Sequence, residues 1–499
     1  MTLSACGGGG SSGTAALNAP AAQTSLPQAQ ASSNAIVLEK AGVTPFIGIV
    51  TMYVSGLANL LGVEFTIEPE AGAVSKPVNV WYSLQALTAR GFVDSTGTFL
   101  SLPVFGLYAD HANQVSVQLQ FQDRSAATLA LEIDTPTYSD PTGIYDKPLI
   151  RQPRLPGSSL GFNYFYMKSG LGSPVIVDTD GQIRWVVPGI ANAISSIFQG
   201  DGFVIGDPAQ PFLYRVSLDG AQTSASLSVP DYTEFHHNID PGNLGFFAEV
   251  NTAQAIESNV IEIDEAGDVL NHWDLGKIIS DYMTSQGDNA AAFVRPGVDW
   301  FHNNATTYDP SDNSVIVSSR ENFVIKIDYH TGNIIWILGD PAKYWYTFPS
   351  LRAKALTLAA GGFYPIGQHG ISIISGGLLM LFNDGLASSN QPAGEPAGDN
   401  RSYSTVSAYS IDIPSMTATE VWDFDYGQTI LSQICSSAYE APGGSILVDY
   451  AVADGFKHAR LVGLDPSRTV VFDFQYDTVP CNTSWNAKPI ALDNLTISD

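Results

Sequence analysis

One pattern recurs along most of this chain: an apolar alternating strand ending in Asp, a turn containing Gly or Pro, and a second strand that often carries Trp or Phe. It is found at Val175-Ile176-Val177-Asp178, at Val216-Ser217-Leu218-Asp219-Gly220 and at Ile261-Glu262-Ile263-Asp264. It returns at Ile325-Lys326-Ile327-Asp328, at Tyr409-Ser410-Ile411-Asp412 and at Leu461-Val462-Gly463-Leu464-Asp465. Successive Asp positions lie 41, 45, 64, 84 and 53 residues apart. A period of ~40–50 residues, stretched by insertions, is that of a β-propeller blade. Six copies therefore predict six blades, and two stacked β-sandwiches would not generate one recurring motif. Trp185, Trp273, Trp336 and Trp422 fall where neighbouring blades pack.

The rest of the chain divides around that repeat. Residues 1–35 are Ala, Gly, Ser, Gln and Pro with almost no charge, and read as a tether. Residues 36–140 alternate in short segments such as Val115-Ser116-Val117-Gln118-Leu119 and predict a small β-sandwich. Pro103 marks the strand near Leu100–Tyr108 as an edge. Residues 141–157 read as a linker, and 158–499 as the propeller. The expected fold class is thus all-β, a six-bladed β-propeller preceded by a small N-terminal β-sandwich. The longer spacings after Asp264 and Asp328 locate insertions: a helix over Leu275–Gln286, and loops over 340–362 and 386–402 across one face.

Charged residues make up only 14% of the chain and the formal net charge is −27. That field excludes nucleic acid as a partner, since phosphate binding needs basic surface. No run of about 20 apolar residues is present to span a bilayer. Leu3-Ser4-Ala5-Cys6 before a Gly/Ser tract resembles a bacterial lipobox, which makes Cys6 a candidate lipid anchor and the cell envelope or periplasm, at an outer membrane, the expected location. Homo-oligomerisation is left open. Cys435 and Cys481 are free to pair in an oxidising compartment, although sequence alone does not establish that bridge.

Chemistry enters with histidine, of which the chain has 8. Three segments place it at the start of a hairpin: Phe235-His236-His237-Asn238-Ile239, Trp300-Phe301-His302-Asn303-Asn304 and Gln368-His369-Gly370-Ile371. A closed ring would bring His237, His302 and His369 to one axis; His237, rather than His236, matches the other two in register. Side chains two apart share a strand face, so His302 and Asn304 are expected to point the same way. A hairpin centred near Ser311 brings Arg320 beside His302, unless a bulge shifts the register. Imidazole, amide and guanidinium together suit a tetrahedral oxyanion. His111, His272, His330 and His458 sit in turns or at strand ends and are read as structural.

The stretch Asp299-Trp300-Phe301-His302-Asn303-Asn304, with Val315 through Arg320 and Val324 through Pro341, resembles the bacterial aryl-sulfate sulfotransferases. Gln368-His369-Gly370, Leu381 to Gly385 and His236 to Ile239 resemble them as well, although Gly370 stands where the family often has a larger residue. The resemblance implies transfer of a sulfuryl group from an aryl sulfate donor to a phenolic acceptor, without cofactor or metal. By matched position it makes His369 the nucleophile that becomes a transient sulfohistidine. His302, Asn304, Arg320 and His237 would hold the sulfuryl oxygens, a histidine also serving the phenol proton. Arg320→Ala is then expected to cripple turnover and leave unfolding nearly unchanged. Two other classes compete: a metal-dependent lyase or hydrolase with the three His as ligands, and a non-enzymatic surface-binding propeller.

Overall fold

The computed structural model describes residues 33–228 and 231–498, so the Cys6 anchor and nearly all of the tether lie outside the described residues. Among the described residues the strands make eight sheets. Two of them take up the N-terminal part. One contains Ala35–Ala41, Ile47–Tyr53 and Phe99–Phe105; the other contains Val78–Ser83, Leu60–Ile67, Ala112–Phe121 and Ala126–Asp134. Along Ala112–Phe121, Val115, Val117 and Leu119 are buried while Gln114, Ser116 and Gln118 are not, which is the period-two pattern that sets one face inward. Those residues share a core with Val50, Met52, Leu102 and Val104 of the smaller sheet. Apart from a bridge between Leu100 and Val93, Phe99–Phe105 pairs among the described strands with Ile47–Tyr53, so Pro103 lies on an edge, where its missing N–H costs nothing.

The remaining six sheets have four or five strands and are antiparallel but for one short edge strand of the fifth. The second holds Ser196–Gln199 through Gln222–Ser226, the third Tyr232–Pro241 through Val269–Asp274, and the fourth Asn303–Asp309 through Ile334–Leu338. The fifth holds Gln368–Ile374 through Thr417–Phe424, and the sixth Ser437–Glu440 through Val470–Asp477. The first sheet combines Tyr164–Met167, Val175–Asp178 and Ile183–Trp185 with Ala487–Ile490 from the far end of the chain. First strands of successive sheets meet one another. Asn238 Nδ2 donates to the Asn304 carbonyl and Asn304 Nδ2 to the Gln368 carbonyl, both at 2.8 Å. The backbone N–H of Ala487 donates to Ser437 Oγ at 3.2 Å, joining the sixth sheet to the first. Phe203 stacks on Trp185, joining the first to the second.

The recurring Asp and Trp have distinct jobs. Asp178, Asp264 and Asp465 each accept two backbone N–H groups from the turn that follows, an Asx-type closure of the hairpin. The indoles of Trp185 and Trp273 donate across to Leu218 and Tyr329 of the next sheet.

Several expectations are modified. The helix Leu275–Ser285 is present, capped by Asp274 and buried through Leu275, Ile279 and Met283. Residues 340–362 are more than a loop: Tyr344–Thr347 and Pro349–Arg352 are helical turns, and Thr357–Leu358 adds a parallel edge to the fifth sheet. Within 141–157, Leu149–Gln152 pairs with the outer strand of the sixth sheet. Leu495–Ile497 leaves the repeat region and pairs in parallel with Val78–Ser83.

Candidate active site

The three histidines all sit where a first strand loses its regular pairing. Register shifts fall between Phe235 and Ile239, between Asn303 and Ala305, and between His369 and Ser372. His237 and His302 have φ of 54° and 56°, in the left-handed region that an L side chain occupies at a cost of about 1–2 kcal/mol. In the fifth sheet that conformation belongs instead to Gly370, at φ 56°. A Cβ on Gly370 would lie 3.0 Å from Ser437 Cβ, which accounts for glycine where a larger residue was anticipated.

These departures bring the histidines to one cavity of about 780 Å³. One wall is polar: His237, His302, His369 and Arg320 with the carboxylates of Glu257, Asp299 and Glu321, and with Ser389 and Asn390 from the 386–402 loop. The other is apolar, made of Ile434, Trp485 and the Cys435–Cys481 disulfide, which is formed. His111, His272, His330 and His458 do not line it.

His369 is almost fully buried, and its Nδ1 lies 3.1 Å from both the Gly367 carbonyl and Asp384 Oδ1. The carbonyl can only accept, so Nδ1 carries a proton, and the lone pair of the neutral ring is on Nε2. Arg320, whose backbone N–H donates to the His302 carbonyl at 3.0 Å, is beside His302 as the hairpin argument required. Its guanidinium is held by Glu321 at 2.8 Å and Asp384 at 3.2 Å. Burial raises the Asp384 carboxyl, against the lowering pull of His369 and Arg320. Burial also raises Glu321, but Arg320 and the hydroxyl of Ser388 outweigh it and bring its pKa down to about 2. From below, Lys343 Nζ donates to the Arg320 and Glu321 carbonyls, and burial draws its pKa down to about 8.

His302 Nδ1 sits between Glu257 Oε2 at 2.6 Å and Asp299 Oδ2 at 2.8 Å. Burial would lower this imidazole, yet the two carboxylates prevail and raise its pKa to about 10. His237, packed edge-on against His302 and Trp485, is pushed well below its usual range by burial. His236 does not line the cavity; burial brings it to about 4, and its Nδ1 is 2.7 Å from that of His237. Asn304 is a correction. The shift between Asn303 and Ala305 removes the shared face with His302, and Asn304 lies beneath the cavity with its amide on the Gln368 carbonyl. Its Oδ1 is buried and unpartnered.

Sequence reasoning missed the carboxylates. Asp299 stands one short step before His302, Glu321 is next to Arg320, and Asp384 lies in the quoted Asn383-Asp384-Gly385 stretch, so each had a signal. Glu257, between two strands of the third sheet, had none. Trp485 reaches the site from a segment distant in sequence, which gave no signal. Two groups of ligating atoms lie within 4.8 Å of one another, His236–His237–Glu257 and Glu257–Asp299–His302. In the second, a proton on His302 Nδ1 already occupies the space between both carboxylates.

A family profile described as Arylsulfotransferase (ASST) matches residues 158–486. The chain is 27% identical over 212 residues to an arylsulfate sulfotransferase, AssT, of Escherichia coli, covering 34% of this chain and 35% of that protein. It is 22% identical over 502 residues to the AssT of Lelliottia amnigena, covering 78% and 79%. The first alignment thus spans about a third of that relative, the second most of the other. Among solved structures it is similar to a β-propeller domain of Myceliophteria thermophila Cps50, with TM-score 0.36, 13% identity and 66% and 88% of the two chains covered. BamB of Moraxella catarrhalis gives TM-score 0.26, 10% identity and coverages of 74% and 96%.

Proposed function

Since the chain belongs to the arylsulfotransferase family, we propose that it moves a sulfuryl group from an aryl sulfate ester to a phenol through a sulfohistidine at His369. The observation that carries this is the placement of His369: its Nδ1 is hydrogen-bonded to the Gly367 carbonyl beside Asp384, leaving Nε2 as the lone-pair atom of the neutral ring in a cavity shared with Arg320 and His302. A neutral imidazole is both a good nucleophile and a good leaving group near pH 7.

In the first half-reaction Nε2 attacks sulfur, the S–O bond to the donor breaks, and the departing phenoxide takes a proton from protonated His302. In the second, the acceptor phenol returns a proton to His302, its oxygen attacks sulfur, and the N–S bond breaks to restore His369. Charge on the sulfuryl oxygens needs donors fixed in advance. Arg320 and His302 are fixed by carboxylates, and His237 completes the set as a neutral ring. Asn304 supports this layer from beneath. The apolar wall of Ile434 and Trp485 suits the aryl ring. Such a relay gives ping-pong kinetics.

Around this site we read the six sheets as a six-bladed propeller over 158–499, preceded by a β-sandwich over 36–140 and the 141–157 segment. Cys6 is the proposed lipid anchor of an envelope or periplasmic protein, a placement with which the Cys435–Cys481 disulfide agrees. The test is intact mass after brief exposure to p-nitrophenyl sulfate. The natural chain should gain one SO₃ unit and His369→Asn none; an adduct of equal yield in that variant, or no adduct and no transfer in the natural chain, discards the proposal.

A further inference from the structure

We propose that His236, His237 and Glu257 form a binding site for a divalent transition ion of the zinc class, and that an ion held there shuts off sulfuryl transfer. The inhibition rests on the function proposed above; the ion site does not. The two Nδ1 atoms are 2.7 Å apart, Glu257 Oε2 is 3.9 Å from that of His237, and all three ligand atoms lie within 4.8 Å of one another. Bonds of 2.0–2.1 Å to a tetrahedral ion set its ligands about 3.3 Å apart, a value the two distances bracket. Two imidazoles with one carboxylate is a donor set such ions favour.

The pair of Nδ1 atoms also poses a problem that an ion solves. At most one of them can donate to the other, so the two neutral rings must hold opposite tautomers. A shared ion takes both lone pairs. His236 Nε2 is buried without a hydrogen-bond partner. His237 and Glu257 line the cavity, so an ion has a route in and a fourth position open to solvent. Occupation would withdraw His237 from the sulfuryl oxygens and pull Glu257 away from His302 Nδ1, to which it lies at 2.6 Å. The Glu257–Asp299–His302 group is less suited, its centre already filled by the His302 proton.

The experiment uses the full chain after chelator dialysis. Zinc chloride is titrated by calorimetry, and transfer from p-nitrophenyl sulfate to phenol is followed with and without zinc. One ion per chain at micromolar affinity is expected. His236→Gln should weaken binding at least tenfold and lift the inhibition in parallel, its turnover with zinc being compared with its own metal-free rate. No zinc binding by the natural chain, or equal binding by His236→Gln, overturns the site; binding without loss of turnover overturns the inhibition. Should His236→Gln not fold, X-ray absorption of the zinc-loaded natural chain decides: two imidazole ligands support the assignment, one or none overturns it. Failure of the metal-free natural chain to transfer sulfate sinks the function and with it the inhibition, while the calorimetry still decides the ion site.

Discussion

Replacing Arg320 by Ala tests how the anion-binding wall is built. As a lone oxyanion donor the residue would be dispensable for folding, the expectation that sequence alone supports. The structure argues otherwise. Arg320 is 6% exposed and stands between Glu321, 1% exposed, and Asp384, 0% exposed. Removing the guanidinium leaves both carboxylates buried without their counter-charge. Breaking one side of a buried pair in this way costs about 3–5 kcal/mol. Protonation of Asp384, whose carboxyl burial already raises, offsets part of that, so about 3 kcal/mol is the working value. Unfolding entropy of roughly 2 cal/mol/K per residue turns this into about a 3 °C fall in Tm if the whole chain melts together. Calorimetry on Arg320→Ala, Asp384→Asn and the double variant makes the cycle. The double variant should be more stable than Arg320→Ala, because an amide needs no cation. A Tm for Arg320→Ala within about 1 °C of the natural chain, or a double variant less stable than the single, refutes the reasoning.

Two further predictions use other parts of the site. Gly370→Ala places a Cβ 3.0 Å from Ser437 Cβ at φ 56° and should cost about 1–3 kcal/mol together with most of the turnover, whereas Gly376→Ala, at φ 83° with nothing within 4 Å, costs only the backbone part; equal losses in urea unfolding refute the contact argument. Asp449, buried beside Ser484, has its pKa raised from 3.8 to about 7. The folded chain therefore holds a proton that the unfolded chain loses: the stabilisation is complete below about pH 4 and drains away as pH rises through 7, by up to about 4 kcal/mol. Asp449→Asn should flatten that slope, and parallel stability profiles from pH 4 to 8 would disprove it.

What was legible followed from short-range periodicity. The Asp-turn-Trp repeat gave the ladders because each element of it acts locally: the carboxylate closes its own hairpin and the indole reaches the next sheet. The three histidines and Arg320 were legible for the same reason, lying at fixed offsets within single hairpins. Asn304 was misplaced because one bulge, invisible in a two-residue alternation, turns its face by half a period. Glu257 and Trp485 were illegible because their positions depend on closure between distant segments. The strand Leu149–Gln152 hid in a proline-rich stretch because four residues are too few to show alternation.

The span from Cys481 to Ile497 does four things at once: it supplies half the disulfide, the indole wall of the cavity, a strand of the first sheet and a strand beside Val78–Ser83. None of these can exist while a ribosome or a translocon still holds that span. The growing polypeptide thus carries two unpaired strand edges, at Tyr164–Met167 and Val78–Ser83, until residue 497 has emerged. A chain cut after Ser484 would lack the indole wall and both strands, leaving Tyr164–Met167 and Val78–Ser83 with bare edges open to pairing with another chain.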